Sequence, residues 1–169
     1  VAMLEADQGY DPEVVGCSIS DGSLNGSKIL VEAAEAADML IVLARDAEGP
    51  RLLLVDPATP GVALRRHSDL DPASRFCAVT FDGVRIAGEA ISGRPAAARL
   101  RDVGATLGSG LLTGIATRML ETSVEYAKTR NQFGQPIGAF QAIKHRCADM
   151  AVALEAARST AYYAFWAIS

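Results

Sequence analysis

The chain has 169 residues, half of them hydrophobic, and a formal net charge of −4. That acidic balance excludes a nucleic-acid partner, which needs a basic face, and no apolar run is long enough to span a bilayer. No signal peptide opens the chain, and Cys17, Cys77 and Cys147 are odd in number and far apart, which excludes a zinc pattern and a disulfide framework; they read as small buried thiols in a cytoplasmic protein.

Residues 1–92 read as β. "SISDGSLNGSKILV" holds Asn25-Gly26 between two strand-like runs, and Asn-Gly supplies the positive φ angles of a tight hairpin. "DMLIVLAR" (38–45) and "PRLLLVD" (50–56) flank "DAEG", which predicts a second hairpin. "SRFCAVTFDGVRI" (74–86) is rich in β-branched and aromatic residues. Short strands separated by turns predict a small antiparallel barrel or sandwich, and "GEAISGRP" (88–95) reads as the linker that ends it.

Residues 93–169 change period. Val103, Leu107, Leu111, Ile115 and Met119 recur every fourth residue beside a row of Leu112, Ala116, Leu120 and Val124, which makes a broad apolar stripe on a helix over about 97–130. A second, alanine-rich helix is expected from about Ala139. Two long helices with a short corner predict part of an antiparallel bundle, an α+β chain overall. Tyr162, Tyr163 and Trp166 read as bundle core or interface. The start at Val1 and the uncapped run "AYYAFWAIS" predict a piece of a longer polypeptide.

The corner, "TRNQFGQPIGAFQ" (129–141), has two readings. As plain structure, 131–138 is polar turn chemistry, Arg130 suits a helix C-terminus and Phe133 plugs the core. As a site, Arg130 is a fork for a phosphate or carboxylate, Gln132 and Gln141 add amides, and Gly134 lets a ligand approach the backbone.

"YAKTRNQFGQPIGAFQAIKHRCADMA" is similar to the signature of acyl-CoA dehydrogenases: Arg-x-x-Phe-Gly, Phe-Gln, then an Ala-Asp-Met helix. "DGSLNGSKILVEAAEAADMLIVLAR" and "GVALRRHSDLDPASRFCAVTFDGVRI" resemble the middle β-domain of that family, in collinear order. The resemblance implies a middle β-domain over 1–92 and the first bundle helices over 93–169. It implies FAD-dependent α,β-dehydrogenation of an acyl-CoA thioester in a homo- or hetero-oligomer, with an electron-transfer flavoprotein as the electron acceptor. It also implies that Arg130 and Gln141 reach across a subunit interface to a neighbour's FAD, with Gln132 and Phe133 lining the same site. The catalytic base is expected beyond residue 169.

The departures from the family pattern bear on function. Leu4 stands where a threonine meets the flavin ring, and Tyr10 replaces a small serine. Leu30, Glu32 and Ala33 take the place of Trp-Ile-Thr-Asn, and Asp102-Val-Gly-Ala105 lacks the substrate-side arginine, with Gly104 where some members carry the catalytic glutamate. Three alternatives follow: an ordinary acyl-CoA dehydrogenase with an unusual flavin pocket, a non-catalytic partner subunit that lends Arg130 and Gln141 to a neighbour, or a helical assembly module without a cofactor role.

Overall fold

A computed structural model describes residues 1–9, 11–68, 70, 73–86 and 94–169. They form two compact units, Val1–Arg101 and Asp102–Ser169.

The first unit is built on one six-stranded sheet. Its strands are β1 (Ser18–Ser20), β2 (Ser23–Glu32), β3 (Leu40–Asp46), β4 (Gly49–Val55), β5 (Val62–Arg66) and β6 (Phe76–Arg85), in the order β4-β3-β1-β2-β6-β5. Every pairing is antiparallel except β1 with β3, which is parallel at Ser18 and Arg45.

The turn between β1 and β2 is not Asn25-Gly26. Ser20 pairs with Ser23, so the two-residue turn is Asp21-Gly22, at φ 50° and 70°. Both residues sit at positive φ, as a type I′ turn requires. Asp-Gly serves that turn as well as Asn-Gly does, and this register seals Leu24 and Val31 in the core. Asn25 and Gly26 instead lie inside β2 at a bulge in its pairing with β6, where Gly26 has φ 134°. A Cβ on Gly26 would stand 2.8 Å from the Cα of Cys17, so only glycine lets β2 lie this close to the chain before β1. The expected β3–β4 hairpin forms as read: Asp46 pairs with Gly49, and the Asp46 carboxylate accepts the amides of Glu48 and Gly49 at 2.8 and 3.1 Å.

The linker expected over 88–95 falls outside the described residues up to 93; Arg94 and Pro95 already belong to helix α1 (Arg94–Thr129). Proline is tolerated in a first turn, where its missing N–H has no helical partner to lose. Helix α2 spans Gln141–Ile168. Within the second unit the two run antiparallel: Gly110 approaches Phe165, and Arg158 of α2 reaches Thr117 of α1. The glycines at 104, 108, 110 and 114 each weaken an isolated helix by about 1 kcal/mol relative to alanine, so α1 depends on packing. Its hydroxyls turn back on the helix itself, Thr106 donating to Asp102 and Thr113 to Ser109.

Candidate functional site

The corner between α1 and α2 is a miniature hairpin. Strands β7 (Asn131–Gln132) and β8 (Gln135–Pro136) pair Asn131 with Pro136 and Gln132 with Gln135. The turn residues are Phe133 and Gly134, at φ 54° and 81°. The Ile137 amide donates to the Arg130 carbonyl at 2.8 Å and closes the base of the hairpin. Behind it, Gly138 lies so close to the last turn of α1 that a Cβ would meet the Ala127 carbonyl oxygen at 2.9 Å.

Phe133 does not plug the core. It is 91 % exposed, although its backbone takes a left-handed conformation that costs a bulky residue on the order of 1–2 kcal/mol. A strained backbone under an exposed ring is a pattern found at functional surfaces. Its described aromatic neighbour is Phe140, edge to face at 6.2 Å and 88°. Phe140 also precedes α2, and its carbonyl accepts the amides of Ile143 and Lys144, both at 3.1 Å.

The structure thus gathers the four sequence-predicted residues on one short span. Arg130 follows the end of α1, Gln132 is on β7, Phe133 is at the hairpin tip, and Gln141 opens α2; all four are exposed. Among the described residues, the Arg130 guanidinium has no hydrogen-bond or ion-pair partner. No side chain caps α2, so the first amides of that helix are open to an acceptor. An unpaired fork, two amides and an uncapped helix N-terminus form a set that fits a phosphate-bearing anion. Phe140 entered the sequence reading only as part of the Phe-Gln motif, and Gly138 was not singled out; its signal was a second glycine four residues after Gly134.

The first unit holds most of the residues that depart from the family pattern; Gly104 belongs to the second. Leu30 sits at the second bulge of β2 with φ 51° and is 45 % exposed; Ala33 follows at φ 50°. Glu32 is exposed, and the Leu4 carbonyl is taken by the Ile29 amide at 2.9 Å. Tyr10 lies outside the described residues. Gly104 on α1 is exposed, with open space where a Cβ would stand.

A buried ion pair, missed in the sequence, fixes this region. The Lys28 side chain is fully buried in the middle of β2; its ammonium donates to Glu5 at 2.6 Å and to the Met3 carbonyl at 3.1 Å. Glu5 also accepts the amides of Gly16 and Cys17 at 2.7 and 2.9 Å. Burial alone raises the pKa of Glu5, but the bonds from Lys28 and the two amides prevail and hold it below its ordinary value. Burial pushes the neighbouring Cys17 thiol up to about 12 and keeps it inert. The signal was a lysine on the same strand face as buried Leu24. Among the described residues no cluster could hold a metal ion, and no helix is long and apolar enough to cross a membrane.

The acyl-CoA dehydrogenase C-terminal domain family matches residues 94–169. Benzylmalonyl-CoA dehydrogenase of Aromatoleum aromaticum is 32 % identical over 98 % of this chain. A glutaryl-CoA dehydrogenase of Mycobacterium smegmatis, solved in complex with FADH2, superposes with a TM-score of 0.82 at 26 % identity, over 96 % of this chain and 45 % of its own. The ChsE4-ChsE5 complex of Mycobacterium tuberculosis gives 0.83 at 26 % identity, over 97 % of this chain and 45 % of that one. The chain spans about half the length of the curated relatives it matches, 48 % in the Aromatoleum enzyme. Collinear likeness through both units places this chain in the acyl-CoA dehydrogenase family.

Proposed function

We propose that the protein takes part in FAD-dependent α,β-dehydrogenation of an acyl-CoA thioester in the cytoplasm, with 1–92 as its middle β-domain and 93–169 as the start of its helical domain. Electrons then pass to an electron-transfer flavoprotein. The observation that carries this reading is the corner, with its unpaired Arg130 beside the uncapped start of α2. Arg130 grips the pyrophosphate of a FAD held by a neighbouring protomer, and Gln141 and Gln132 donate amide hydrogens to it. Phe133, presented on its strained turn, covers an apolar part of the same ligand. Bound FAD supplies the acceptor for the hydride that leaves the β carbon. No residue of this chain is assigned the removal of the α proton.

A second reading has a specific observation behind it. Leu30, Glu32 and Leu4 leave the first unit with no side-chain hydroxyl and no aromatic wall at the positions that correspond to the family's flavin contacts. Glu32 adds a carboxylate where an anionic reduced flavin would have to sit. On this reading the chain is the non-catalytic partner in a hetero-oligomer and lends its corner to the other subunit's FAD.

One experiment tests the proposal and separates the two readings. The native assembly is purified intact, and FAD is counted per protomer before and after Arg130→Ala. Loss of a charge-assisted fork is expected to weaken FAD retention on the order of 10- to 100-fold, and Arg130→Lys to restore only part of it. Unchanged retention returns the corner to plain turn chemistry. One FAD per chain supports the ordinary enzyme, and fewer flavins than protomers supports the partner subunit.

A further inference from the structure

The outer face of the sheet carries a polar and aromatic row that takes no part in the core. Along β6, Cys77, Val79 and Phe81 are sealed in the core, so Phe76, Ala78 and Thr80 point to the other face. Phe76 is flanked on both sides. Its direct partner on β2 is Glu32. On the β5 side its carbonyl accepts the His67 amide at 2.9 Å, one residue beyond the Arg66–Cys77 pair. Directly paired residues share a face. Glu32, Phe76 and His67 therefore form a row across three strands, about 10 Å from end to end at the ordinary strand spacing. Arg65 stands two residues before His67, opposite Ala78, and adds a guanidinium to the same face. Glu32 and Arg65 are exposed, and Phe76 and His67 are half-buried.

The described residues leave this row unfinished. His67 Nε2 is closed off from solvent and has no hydrogen-bond partner among them; a buried polar atom left so is rare in folded proteins. Neither Glu32 nor Arg65 has an ion-pair partner among the described residues. Glu32 also lies between two left-handed residues, Leu30 at φ 51° and Ala33 at φ 50°, neither of them glycine. Strained backbone of this kind gathers at ligand clamps. The Ala33 amide donates to the Arg75 carbonyl at 2.8 Å and ties that end of β2 to the residue before Phe76.

The side chains select the ligand. Phe76 offers a ring face to a flat base, and Ala78 beside it leaves room. An ionised Glu32 is an acceptor only, so the ring edge above it must carry N–H donors. Arg65 is a fork for a phosphate. A reduced flavin would bring negative charge to the carboxylate, whereas adenine is neutral and brings an exocyclic amine, which a carboxylate accepts as it does the amine of a cytosine edge. The half-buried imidazole of His67 can turn to meet a ring nitrogen. We propose that this sheet face is a site for the adenine of an adenine nucleotide, with the amine on Glu32, the ring on Phe76 and a phosphate on Arg65. CoA and FAD both carry that group. The corner lies in the other unit, so this face serves under either reading of the protein's role.

Titration calorimetry of the native protein with ADP tests it. IDP is the comparison, because it carries an oxygen where ADP carries the amine. ADP is expected to bind about tenfold or more tightly than IDP, since that oxygen would face the Glu32 carboxylate. Glu32→Gln should remove the preference, because an amide serves either edge. Phe76→Ala should weaken ADP binding about tenfold or more. Phe76→Leu, which keeps the bulk without the ring face, should do the same if the smaller residue unsettles the sheet. Arg65→Gln should weaken ADP and leave adenosine unchanged. The series is repeated in an Arg130→Ala background, so that the corner does not contribute; a change in FAD retention there speaks to the corner alone. Displacement of ADP by CoA assigns the site to the substrate's adenine, and displacement by FAD to the cofactor's; both support the site. No ADP binding in the Arg130→Ala background, equal affinity for ADP and IDP, or full ADP affinity in Phe76→Leu overturns the proposal.

Discussion

Glu5 and Lys28 show how much one buried pair decides. Lys28→Met would leave Glu5 buried with two amides and no counter-charge, and is expected to cost about 3–5 kcal/mol in urea unfolding. The double variant Glu5→Gln/Lys28→Met should cost less than the two single changes added together, because neither charge is then stranded. The pH dependence follows from the sign of the shift. The folded pKa of Glu5 is depressed, so its contribution is complete above the unfolded carboxylate value of about 4.3 and is lost as pH falls through the lower folded value. Urea midpoints taken from pH 7 to pH 3 should therefore fall more steeply for wild type than for Glu5→Gln. Lys28 could be read as misplaced in a strand, but nothing local named its partner 23 positions away. Arg130, Gln132, Phe133 and Gln141 were legible because they sit in one contiguous motif. The strain at Phe133 was not, since Phe-Gly has no particular preference for a turn with both φ angles positive.

At the scale of elements, the glycines at either end of the β1–β2 hairpin differ in what they protect. Gly22 needs only its positive φ: a Cβ there would approach nothing nearer than the Arg85 guanidinium at 3.8 Å. Gly22→Ala is expected to cost about 1–2 kcal/mol. Gly26 combines φ 134° with a clash against Cys17 backbone, so Gly26→Ala should cost roughly 3 kcal/mol or more. Thermal and urea unfolding of the two variants in one background would rank them, and equal losses would mean that the bulge relaxes. The β3–β4 hairpin and both long helices were readable because apolar runs and local turn residues agreed there. The β1–β2 turn was misplaced because two suitable dipeptides lie four residues apart and only long-range register chooses between them. The parallel β1–β3 contact left no local trace, since it joins segments separated by the whole of β2.

Across the whole molecule the two units bury apolar surface unequally. In the first, Leu24, Leu40, Val42, Val79 and Phe81 are sealed to 2 % exposure or less. In the second, the buried apolar residues among those described are Ala127, Leu154 and Ala161, while Leu107, Leu111, Leu112, Ile115 and Met119 are at least half exposed. The stripe read in the sequence is present, but α2 covers only part of it: Leu120 faces Met150 and Leu154, while the row from Leu107 to Met119 stays open. The native protein is expected to sediment as an assembly at micromolar concentration, and Leu111→Glu or Leu112→Glu to lower its apparent mass or its yield of folded protein. A wild-type monomer that stays soluble and unfolds cooperatively would contradict this. Family and fold class were legible because their signals are spread over the chain. The state of the flavin site was not, because these 169 residues span about half the length of the relatives that define it.

The strand order also dictates a sequence of events in time. β2 stays at an open margin of the sheet until β6 arrives, because Ser23 waits for Arg85 and Glu32 for Phe76. The β3–β4 hairpin forms locally and early, but the strand that completes the centre is the last of the six to be synthesised. During that interval β2 offers unpaired backbone and a half-buried face to any other nascent chain. The buried Lys28 in its middle discourages such pairings, since a foreign strand would have to bury that ammonium without Glu5.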